Sequence, residues 1–384
     1  MLPDIAENIP ASKATKLKEI AFSCLKLGTI GFGGIAGMVA TIEDEMVVRR
    51  KWIDHQHFMD VLSTSYIIPG PNAVEVVMHC GKERGGRLGL VVAGICYITP
   101  AMLICLLFGY FYQQYSALPD VQHFIWGIRP ATTALVIGTV FRLWNKTLKN
   151  NRVLIALCVL VFACSLYGMN EVLLILGAGV ANYFAATVKN KLPLFAGLLF
   201  LPLLQQSSPR FSEGKLFLIF LKIGAVLYGS GYVLFAYMDE ALVRNNSWLT
   251  RQQLMDAIAV GQITPGPILS SATFAGYLIS GTTGGVLATI AIFLPSFFIS
   301  FFLHQLLSSA RKSEKLRLFL DGLSAASISI IAAVGLHLLT LSVETWRSAV
   351  ILMVCLLLTL FMKKLSTVYI ILIGSIGGFL LQLL

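Results

Sequence analysis

The sequence has few charged residues for its length. Of 384 residues, only 12% are Asp, Glu, Lys or Arg, whereas a soluble domain carries about 25%. Acidic residues are scarcest, 19 against 29 Lys and Arg, which gives a formal net charge of +10. With 57% hydrophobic residues, this composition excludes a soluble enzyme and a disordered chain. It also argues against nucleic-acid binding, because membrane proteins gather Lys and Arg in cytoplasmic loops.

Cysteine is also infrequent, and none of the seven forms a Cys-x-x-Cys pair. Most lie in apolar runs, which favours small core residues over disulfides or metal ligands. No histidine spacing typical of a metal site occurs, so we predict neither a metal nor a cofactor. The first residues are polar and include Lys13, Lys16 and Lys18. We interpret residues 1–19 as an N-terminal surface segment rather than a cleavable signal peptide.

Long apolar runs are abundant. A transmembrane helix needs about 20 mostly apolar residues, and several shorter runs come close to that length. The sequence therefore predicts an all-α integral membrane protein with about ten transmembrane helices. The candidate spans are Ile20–Ala40, Leu88–Tyr112, Val121–Trp144, Val153–Gly168, Val172–Val188, Leu216–Met238, Gly285–Leu303, Leu323–Leu341, Ala349–Met362 and Val368–Leu384.

Two further apolar segments, Phe58–Cys80 and Leu254–Tyr277, are each interrupted by Pro-Gly-Pro. An α-helix cannot continue through this tripeptide, because two amide donors are missing and glycine loosens the turn. Each half is too short to cross a bilayer alone. We therefore predict two re-entrant hairpins, whose irregular backbone must be buried in protein or line a polar cavity.

The two Pro-Gly-Pro breaks are 196 residues apart, and many other residues repeat at the same offset. They include Lys26 with Lys222, Trp52 with Trp248, Asp60 with Asp256, and Gly85 with Gly281. Later matches, such as Gly127 with Gly322, follow one deletion. We predict a tandem repeat with a first copy at 20–188, a linker at 189–215 and a second copy at 216–384.

Basic residues change sides between the two copies. The loop with Lys82, Arg84 and Arg87 has an uncharged counterpart at 280–284, whereas the uncharged loop 113–120 has a basic counterpart around 311–317. Under the positive-inside rule, the copies are inverted in the membrane. An inverted repeat with a broken helix in each half is the plan of many secondary transporters. Half-helices starting at Asn72 and Ile268 would present free amides to an anion near the midplane.

The motifs also resemble the chromate ion transporter superfamily over nearly the whole chain. The resemblance rests on Gly31-Phe32-Gly33-Gly34, Pro69-Gly70-Pro71, Gly261-Gln262-x-Thr264-Pro265-Gly266-Pro267 and Phe293-Leu294-Pro295-Ser296-Phe297. It implies two such domains in a multi-pass inner-membrane protein of a bacterium or archaeon that exports chromate, coupled to protons or another ion, and so confers chromate resistance. Tyr66 departs from the family pattern, in which Gln precedes the first break; Gln262 keeps it in the second half.

Other functions stay open at this point. The substrate is alternatively sulfate or another oxyanion, taken up or exchanged, and a channel is a further reading. A membrane enzyme acting on lipid phosphates is disfavoured, because the duplicated design does not concentrate an Asp/His cluster in one half. The predicted partners are the oxyanion, a proton or coupling ion and the lipid bilayer, with a homodimer as an open alternative.

Candidate substrate-binding residues are polar, cationic or able to expose backbone amides near the breaks. Lys26 and Lys222 alternatively reach the membrane surface with their charged ends, and the glycines alternatively allow close helix packing. A lone intramembrane Arg129 is expected to face protein or water. The set is Lys26, Gly33, Gly34, Pro69, Gly70, Pro71, Asn72, Arg129, Lys222, Gly229, Gly231, Gln262, Thr264, Pro265, Gly266 and Pro267.

Candidate residues for proton or ion coupling are acidic, with one histidine. Glu75 and His79 share a helix face one turn apart. Asp60 and Asp256 lie on the first half-helix of each hairpin, where the alternative is capping or pairing with a nearby Arg. The set is Asp60, Glu75, His79, Asp256, Glu45 and Glu240.

Overall fold

The computed structural model describes residues 13–31, 34–66, 69–148, 151–187, 211–302, 313–362 and 365–383. Within these ranges the chain forms helices and no strand, which confirms the all-α prediction. In the first half the helices are α1 Lys13–Ile30, α2 Gly34–Glu43, α3 His55–Ser65, α4 Asn72–Tyr115, α5 Pro119–Thr147, α6 Arg152–Leu166 and α7 Glu171–Thr187, with a π-helical segment at Asp44–Arg49.

The second half repeats this order of elements. Its helices are α8 Glu213–Val226, α9 Val233–Met238, α10 Arg251–Ile263, α11 Ser271–Phe302, α12 Glu314–Ser342, α13 Trp346–Phe361 and α14 Thr367–Leu383. A π-helical segment, Asp239–Arg244, follows α9, and a short 3₁₀ turn, Ile268–Ser270, precedes α11. Helix α8 begins inside the predicted linker, most of which lies outside the described residues.

Local signals explain many of these helix ends. Thr250 and Gln253 form a reciprocal capping box at the start of α10, and Thr345 does the same with Ser348 at α13. Pro119 occupies the first turn of α5, where its missing amide costs nothing.

Four helices of the described chain are long and apolar enough to cross a membrane. They cover Asn72–Tyr115, Pro119–Asn145, Ile268–Phe302 and Glu314–Ser342, and four shorter apolar helices accompany them. Large apolar side chains such as Phe22, Phe298 and Leu380 are exposed, whereas many Ser and Thr are buried. An apolar surface around a partly polar interior is the pattern of a multi-pass membrane protein.

Two of the predicted spans are not single helices. Within Ile20–Ala40, α1 ends at Ile30 and α2 begins at Gly34; within Leu216–Met238, α8 ends at Val226 and α9 begins at Val233. In the second case Gly229 has φ +91°, a conformation that glycine adopts freely and that interrupts regular α-helical geometry. Hydropathy alone cannot detect such a break, because glycine-rich and continuous spans are equally apolar.

Each Pro-Gly-Pro break is followed by a helix that reverses direction at a glycine. Gly86 in α4 and Gly281 in α11 have nearly the same dihedral angles, φ 66° and 58°. A methyl group on Gly89 would overlap the carbonyl of Gly81, so the two parts of α4 pack directly against each other. The structure therefore pairs Gly86, not Gly85, with Gly281, and the deletion lies before this reversal.

The two halves are interlaced. Helix α5 packs against α13 and α14 of the second half, while α12 packs against α6 and α7 of the first half. Glycines permit the closest approaches, with Gly127 against Gly374 and Gly322 against Ala178. Helices α4 and α11 also pack extensively together, which brings the two Pro-Gly-Pro breaks into the shared interior.

Candidate functional site

The two Pro-Gly-Pro breaks are bound to the opposite half by matching hydrogen bonds. The Gly70 amide donates to the Leu227 carbonyl at 2.8 Å, and the Gly266 amide donates to the Gly31 carbonyl at 2.9 Å. Leu227 and Gly31 lie where α8 and α1 end. Each Pro-Gly-Pro break therefore meets the glycine-rich break of the other half. We name the pair at Gly70 and Leu227 the first crossing and the pair at Gly266 and Gly31 the second crossing.

Glycine is required at both crossings. Gly70 has φ +137° and Gly266 has φ +96°, in the left-handed region that other residues rarely adopt. A Cβ on Gly70 would overlap the Ser296 hydroxyl of α11, and one on Gly266 would lie 3.1 Å from Cβ of Ala101 in α4. Pro69, Pro71, Pro265 and Pro267 flank these glycines and end the preceding helices.

A cavity of about 190 Å³ with a mixed polar and apolar lining lies at the first crossing. A buried water needs only about 10–15 Å³ by the same measure, so the space holds several waters or a small oxyanion. The Tyr228 hydroxyl donates to the Tyr66 carbonyl at 3.0 Å and fixes one wall. The lining residues are Tyr66, Asn72, Leu143, Thr147, Tyr228, Gly229, Ser230, Ser324, Ser327 and Ile328.

The start of α4 places one polar side chain, Asn72, at this cavity. The Val74 and Glu75 amides bond to the Pro71 carbonyl, whereas Asn72 is the first residue of the helix and contributes an amide side chain. The first amides of a helix and its positive dipole end favour an anion. Ser230 adds a hydroxyl, whose oxygen accepts the Tyr232 amide at 3.4 Å and whose proton can serve another acceptor.

Glu75 lies one turn into α4 and is fully buried. Neither carboxyl oxygen has a hydrogen-bond partner by distance and angle among the described residues, and neither does the Ser296 hydroxyl. Both side chains point at Gly70, because a Cβ there would meet Glu75 Oε1 at 2.9 Å and overlap Ser296 Oγ. His79 follows on the same helix and is also buried. A buried carboxyl that has a nearby hydroxyl, Ser296, but no ion pair in the described chain is costly unless it is neutral.

An ion pair joins α5 to α10, the helix that leads into the second crossing. Arg129 of α5 bonds to Asp256 of α10 through Nε at 3.3 Å, and the Tyr112 hydroxyl donates to the same carboxylate at 2.7 Å. Asp256 is buried and Arg129 is largely covered. Pairing with an arginine, the alternative considered for Asp256, is therefore the arrangement in this structure. At the equivalent place in the first crossing stands Ser324.

The remaining second-half candidates line the same region. Gln262 is buried, and its Oε1 accepts the Tyr232 hydroxyl at 3.1 Å. Thr264 donates to the Val260 carbonyl at 2.7 Å and lies beside the Cys105 thiol. Gly231 packs near Ile268. Gln262 Nε2 is buried without a hydrogen-bond partner among the described residues, so this side chain keeps a free donor.

Lys26 lies away from both crossings, in an ion-pair network. Its Nζ is 2.8 Å from Glu45, which also binds Arg50 at 2.7 Å, and Arg50 and Arg84 both contact Glu19. Burial of the Glu45 carboxyl raises its pKa, but hydrogen bonds from Lys26 and Arg50 outweigh burial, so the pKa lies below its ordinary value. The network ties α1 to the π-helical segment and to the reversal in α4.

Other predicted residues are scattered. Lys222 and Asp60 are exposed, and Glu240 bonds to Asn170 at 2.7 Å, away from the cavity. Gly34 is the first residue of α2, while Gly33 lies outside the described residues. Of the predicted binding set, Asn72 and Gly229 line the cavity directly.

The sequence reading missed the hydroxyl groups of the cavity. Ser324 and Ser327 lie on α12, where small residues within an apolar helix give no signal of a site, and Thr147 ends α5. Ser230 sits between Gly229 and Gly231, so its place inside a glycine-rich break was the available signal. Within the described chain, no three His, Cys, Asp or Glu residues are arranged to hold a metal.

Comparison with known proteins gives full-length relatives. A probable chromate transport protein of Synechococcus elongatus is 28% identical and covers 95% of both chains. The chromate transport protein of Cupriavidus metallidurans is 27% identical over 94% of this chain and 92% of its own. An uncharacterized transporter of Methanocaldococcus jannaschii is 26% identical over 94% of both chains. No solved structure matches significantly.

The sequence pattern of one family, described as chromate transporter, matches this chain twice. The matches cover residues 18–183 and residues 214–379. Each contains one Pro-Gly-Pro break, one glycine-rich break and one reversed helix, so each supplies half of both crossings. On this evidence the chain belongs to the chromate transporter family.

Proposed function

We propose that this protein transports chromate by secondary active transport, out of the cell across the inner membrane of a bacterium or archaeon, and so confers chromate resistance. The observation that carries the proposal is the cavity at the first crossing, where the start of α4, Asn72 and Ser230 converge on a space of oxyanion size. Relatives over the full length are named for chromate transport. Chromate is a tetrahedral dianion, which amide and hydroxyl donors suit.

The proposed architecture is an inverted repeat with copies at 20–188 and 216–384, joined by 189–215, and with about ten crossings. The matching bonds from Gly70 to Leu227 and from Gly266 to Gly31 support it, as does the exchange of α5 and α12 between halves. Helices that pair in this reciprocal way suit two copies related by a two-fold axis in the membrane plane. Rocking of one half against the other would open the cavity to each side in turn.

Proton coupling is proposed to run through Glu75. Its carboxyl lies one turn from the helix start at Asn72, in an interior of low polarity. An ionised Glu75 would repel a dianion there, since like charges interact strongly where water is excluded. Chromate would therefore bind together with a protonated Glu75, and His79 would relay the proton. One dianion and one proton carry one net negative charge, whose export an inside-negative potential favours by about 2.3 kcal/mol per 100 mV.

Flux of labelled chromate and sulfate into proteoliposomes tests this function. The imposed pH gradient and the membrane potential are varied independently. Chromate flux that responds to both gradients and exceeds sulfate flux is the expected result. Sulfate flux of equal or greater rate would instead support the alternative of a general oxyanion transporter, and flux indifferent to pH would exclude Glu75 as the coupling group.

A matched pair of variants sharpens the coupling test. Glu75→Gln keeps a neutral side chain of the same size, so chromate flux should persist but lose its response to the pH gradient. Glu45→Gln is the control, because Glu45 is bound by Lys26 and Arg50 outside the cavity. Equal pH responses in both variants would contradict the proposed role of Glu75.

A further inference from the structure

A second buried carboxyl lies outside both crossings. Glu171 is the first residue of α7 and is only 3% exposed. Its Oε2 has no hydrogen-bond partner among the described residues. The notable feature is its position, since it stands at the contact between α7 of the first half and the π-helical segment Asp239–Arg244 of the second. A buried ionised carboxylate without donors is strongly disfavoured.

The neighbouring carboxylate, Glu240, has the hydrogen-bond donors that Glu171 lacks, although burial raises the pKa of Glu240 above its ordinary value. It accepts the Asn170 side-chain amide at 2.7 Å, and the Glu171 backbone amide lies 3.5 Å from its other oxygen. It therefore sits at the start of the 17-residue helix α7, where the helix dipole favours a negative charge. The charge that acts most strongly on the Glu171 carboxyl is Glu240, and the guanidinium of Arg244 opposes it more weakly.

A buried tyrosine hydroxyl lies near these two carboxyl groups. Tyr237 of α9 is 3% exposed, and its hydroxyl has no hydrogen-bond partner among the described residues. The charged groups that act on it are the carboxylates of Glu171 and Glu240. Two buried oxygens, Glu171 Oε2 and the Tyr237 hydroxyl, therefore lack hydrogen-bond partners among the described residues, near the carboxylate of Glu240.

The cations around this cluster are engaged elsewhere or remote. Arg244 binds Asp239 at 2.6 Å and Arg251 approaches the same carboxylate at 3.6 Å, while His337 of α12 faces these arginines. Lys222 of α8 acts on Glu240 from an exposed position. No ion pair to Glu171 occurs in the described chain.

The first half shows what the cluster lacks. Glu45 is the second residue of its π-helical segment, as Glu240 is of the other, and the amides of Arg50 and Asn245 bond to their respective carbonyls at 3.0 Å. Glu45 is bound by two cations, Lys26 and Arg50. At the repeat offset of 196 the counterpart of Arg50 is Asn246, which is bound by Lys215 instead of by an acid.

We propose that Glu171 is a proton-binding site, separate from Glu75, that holds its proton at neutral pH under the influence of the ionised Glu240 and the Tyr237 hydroxyl. Release of the proton would leave two carboxylates facing each other and would weaken the contact of α7 with the second half. The site thereby gives the protein a pH-sensitive contact between its halves, beyond the coupling group proposed above.

Infrared difference spectroscopy of the purified full-length protein in lipid, recorded against pH, tests the site without any transport. The carbonyl stretch of protonated carboxyl groups is the readout. In Glu171→Gln, part of this signal at neutral pH should disappear. In Glu240→Gln, the Glu171 signal should remain, with a midpoint at least about one pH unit lower, because the like charge is gone. Glu45→Gln is the control and should leave the signal unchanged.

Two results would overturn the site. One is a carboxyl signal in Glu171→Gln equal to that of the wild type, and the other is an unmoved midpoint in Glu240→Gln. If Glu171→Gln does not elute as a folded protein, the midpoint shift in Glu240→Gln alone decides. Since no chromate is present, failure of the proposed transport function would leave this result interpretable.

Discussion

The two crossings share a backbone plan and differ in their polar side chains. At the first, Asn72 begins a helix beside a cavity, and Ser324 stands on the facing α12. At the second, the residue equivalent to Asn72 is Ile268, and the residue equivalent to Ser324 is Arg129, which is bound to Asp256. The two repeats share a backbone arrangement, but different side chains leave a cavity at the first crossing and place an ion pair on the helix that leads into the second.

The largest expected effect comes from breaking that ion pair. Arg129→Gln leaves the buried Asp256 carboxylate without its cation, which costs about 3–5 kcal/mol of unfolding free energy. Thermal unfolding in detergent measures the loss. Ser324→Ala at the equivalent place should change stability by less than about 0.5 kcal/mol.

The double variant Arg129→Gln, Asp256→Asn removes both charges and should recover most of the lost stability. If Arg129→Gln were as stable as the wild type, Arg129 would not be paired with Asp256. Arg129 would then again be a candidate for direct binding of the anion.

A second prediction compares the stability lost when Gly70 or Gly266, the glycines of the two crossings, is replaced by alanine. Alanine at either position must adopt a positive φ, at a cost of about 1–3 kcal/mol. Gly70→Ala should be the more destabilising, because its methyl group overlaps the Ser296 hydroxyl, whereas Gly266→Ala has more room. Unfolding midpoints give the ranking. Adding Ser296→Gly should rescue Gly70→Ala in part and leave Gly266→Ala unchanged; the reverse ranking would contradict the described packing.

A third prediction concerns how the stability contributed by Glu45 depends on pH. The pKa of Glu45 is lowered, so its stabilisation is complete above the unfolded value of about 4.3 and is lost as pH falls through the lower folded value. Glu45→Gln should therefore reduce stability at pH 6 and flatten the loss of stability below about pH 4. Unfolding curves between pH 3 and 7 measure this, and an unchanged acid limb would show that the Lys26 and Arg50 pairs contribute nothing.

The smallest effect is expected from Tyr66→Gln, which gives the first break the residue that Gln262 provides in the second. The Tyr66 backbone carbonyl, which any residue would provide, accepts the Tyr228 hydroxyl. The Tyr66 side chain itself is exposed. Stability should change by less than about 0.5 kcal/mol, while the enlarged cavity should alter the KM for chromate. A large loss of stability would mean that the tyrosine ring itself supports the crossing.

Sequence reasoning located the elements better than their contacts. Both Pro-Gly-Pro breaks and the repeat were readable, because proline and glycine act through local backbone geometry. The interruption of Leu216–Met238 was not, since a positive φ at Gly229 leaves no trace in hydropathy. Nor could the sequence pair Arg129 with Asp256, which lie far apart in the chain and meet only through packing.

The cavity shows the same limit. Asn72 and Gly229 were found from their breaks, but Ser324 and Ser327 belong to an apolar helix that happens to cross there. Equally, the sequence offset misaligned the reversal by one residue, because a deletion inside a helix is visible only when the backbone angles at Gly86 and Gly281 are compared.

Chromate flux in proteoliposomes with three cavity variants tests the central claim that the first crossing binds the anion. Asn72→Ala and Ser230→Ala remove donors that face the cavity, so each should raise the KM for chromate about tenfold, as expected for loss of a hydrogen bond to a charged group. Ser324→Ala is the matched control, because its hydroxyl already donates to the Leu320 carbonyl at 3.0 Å and should change KM little. Wild-type KM values in both donor variants would contradict the account.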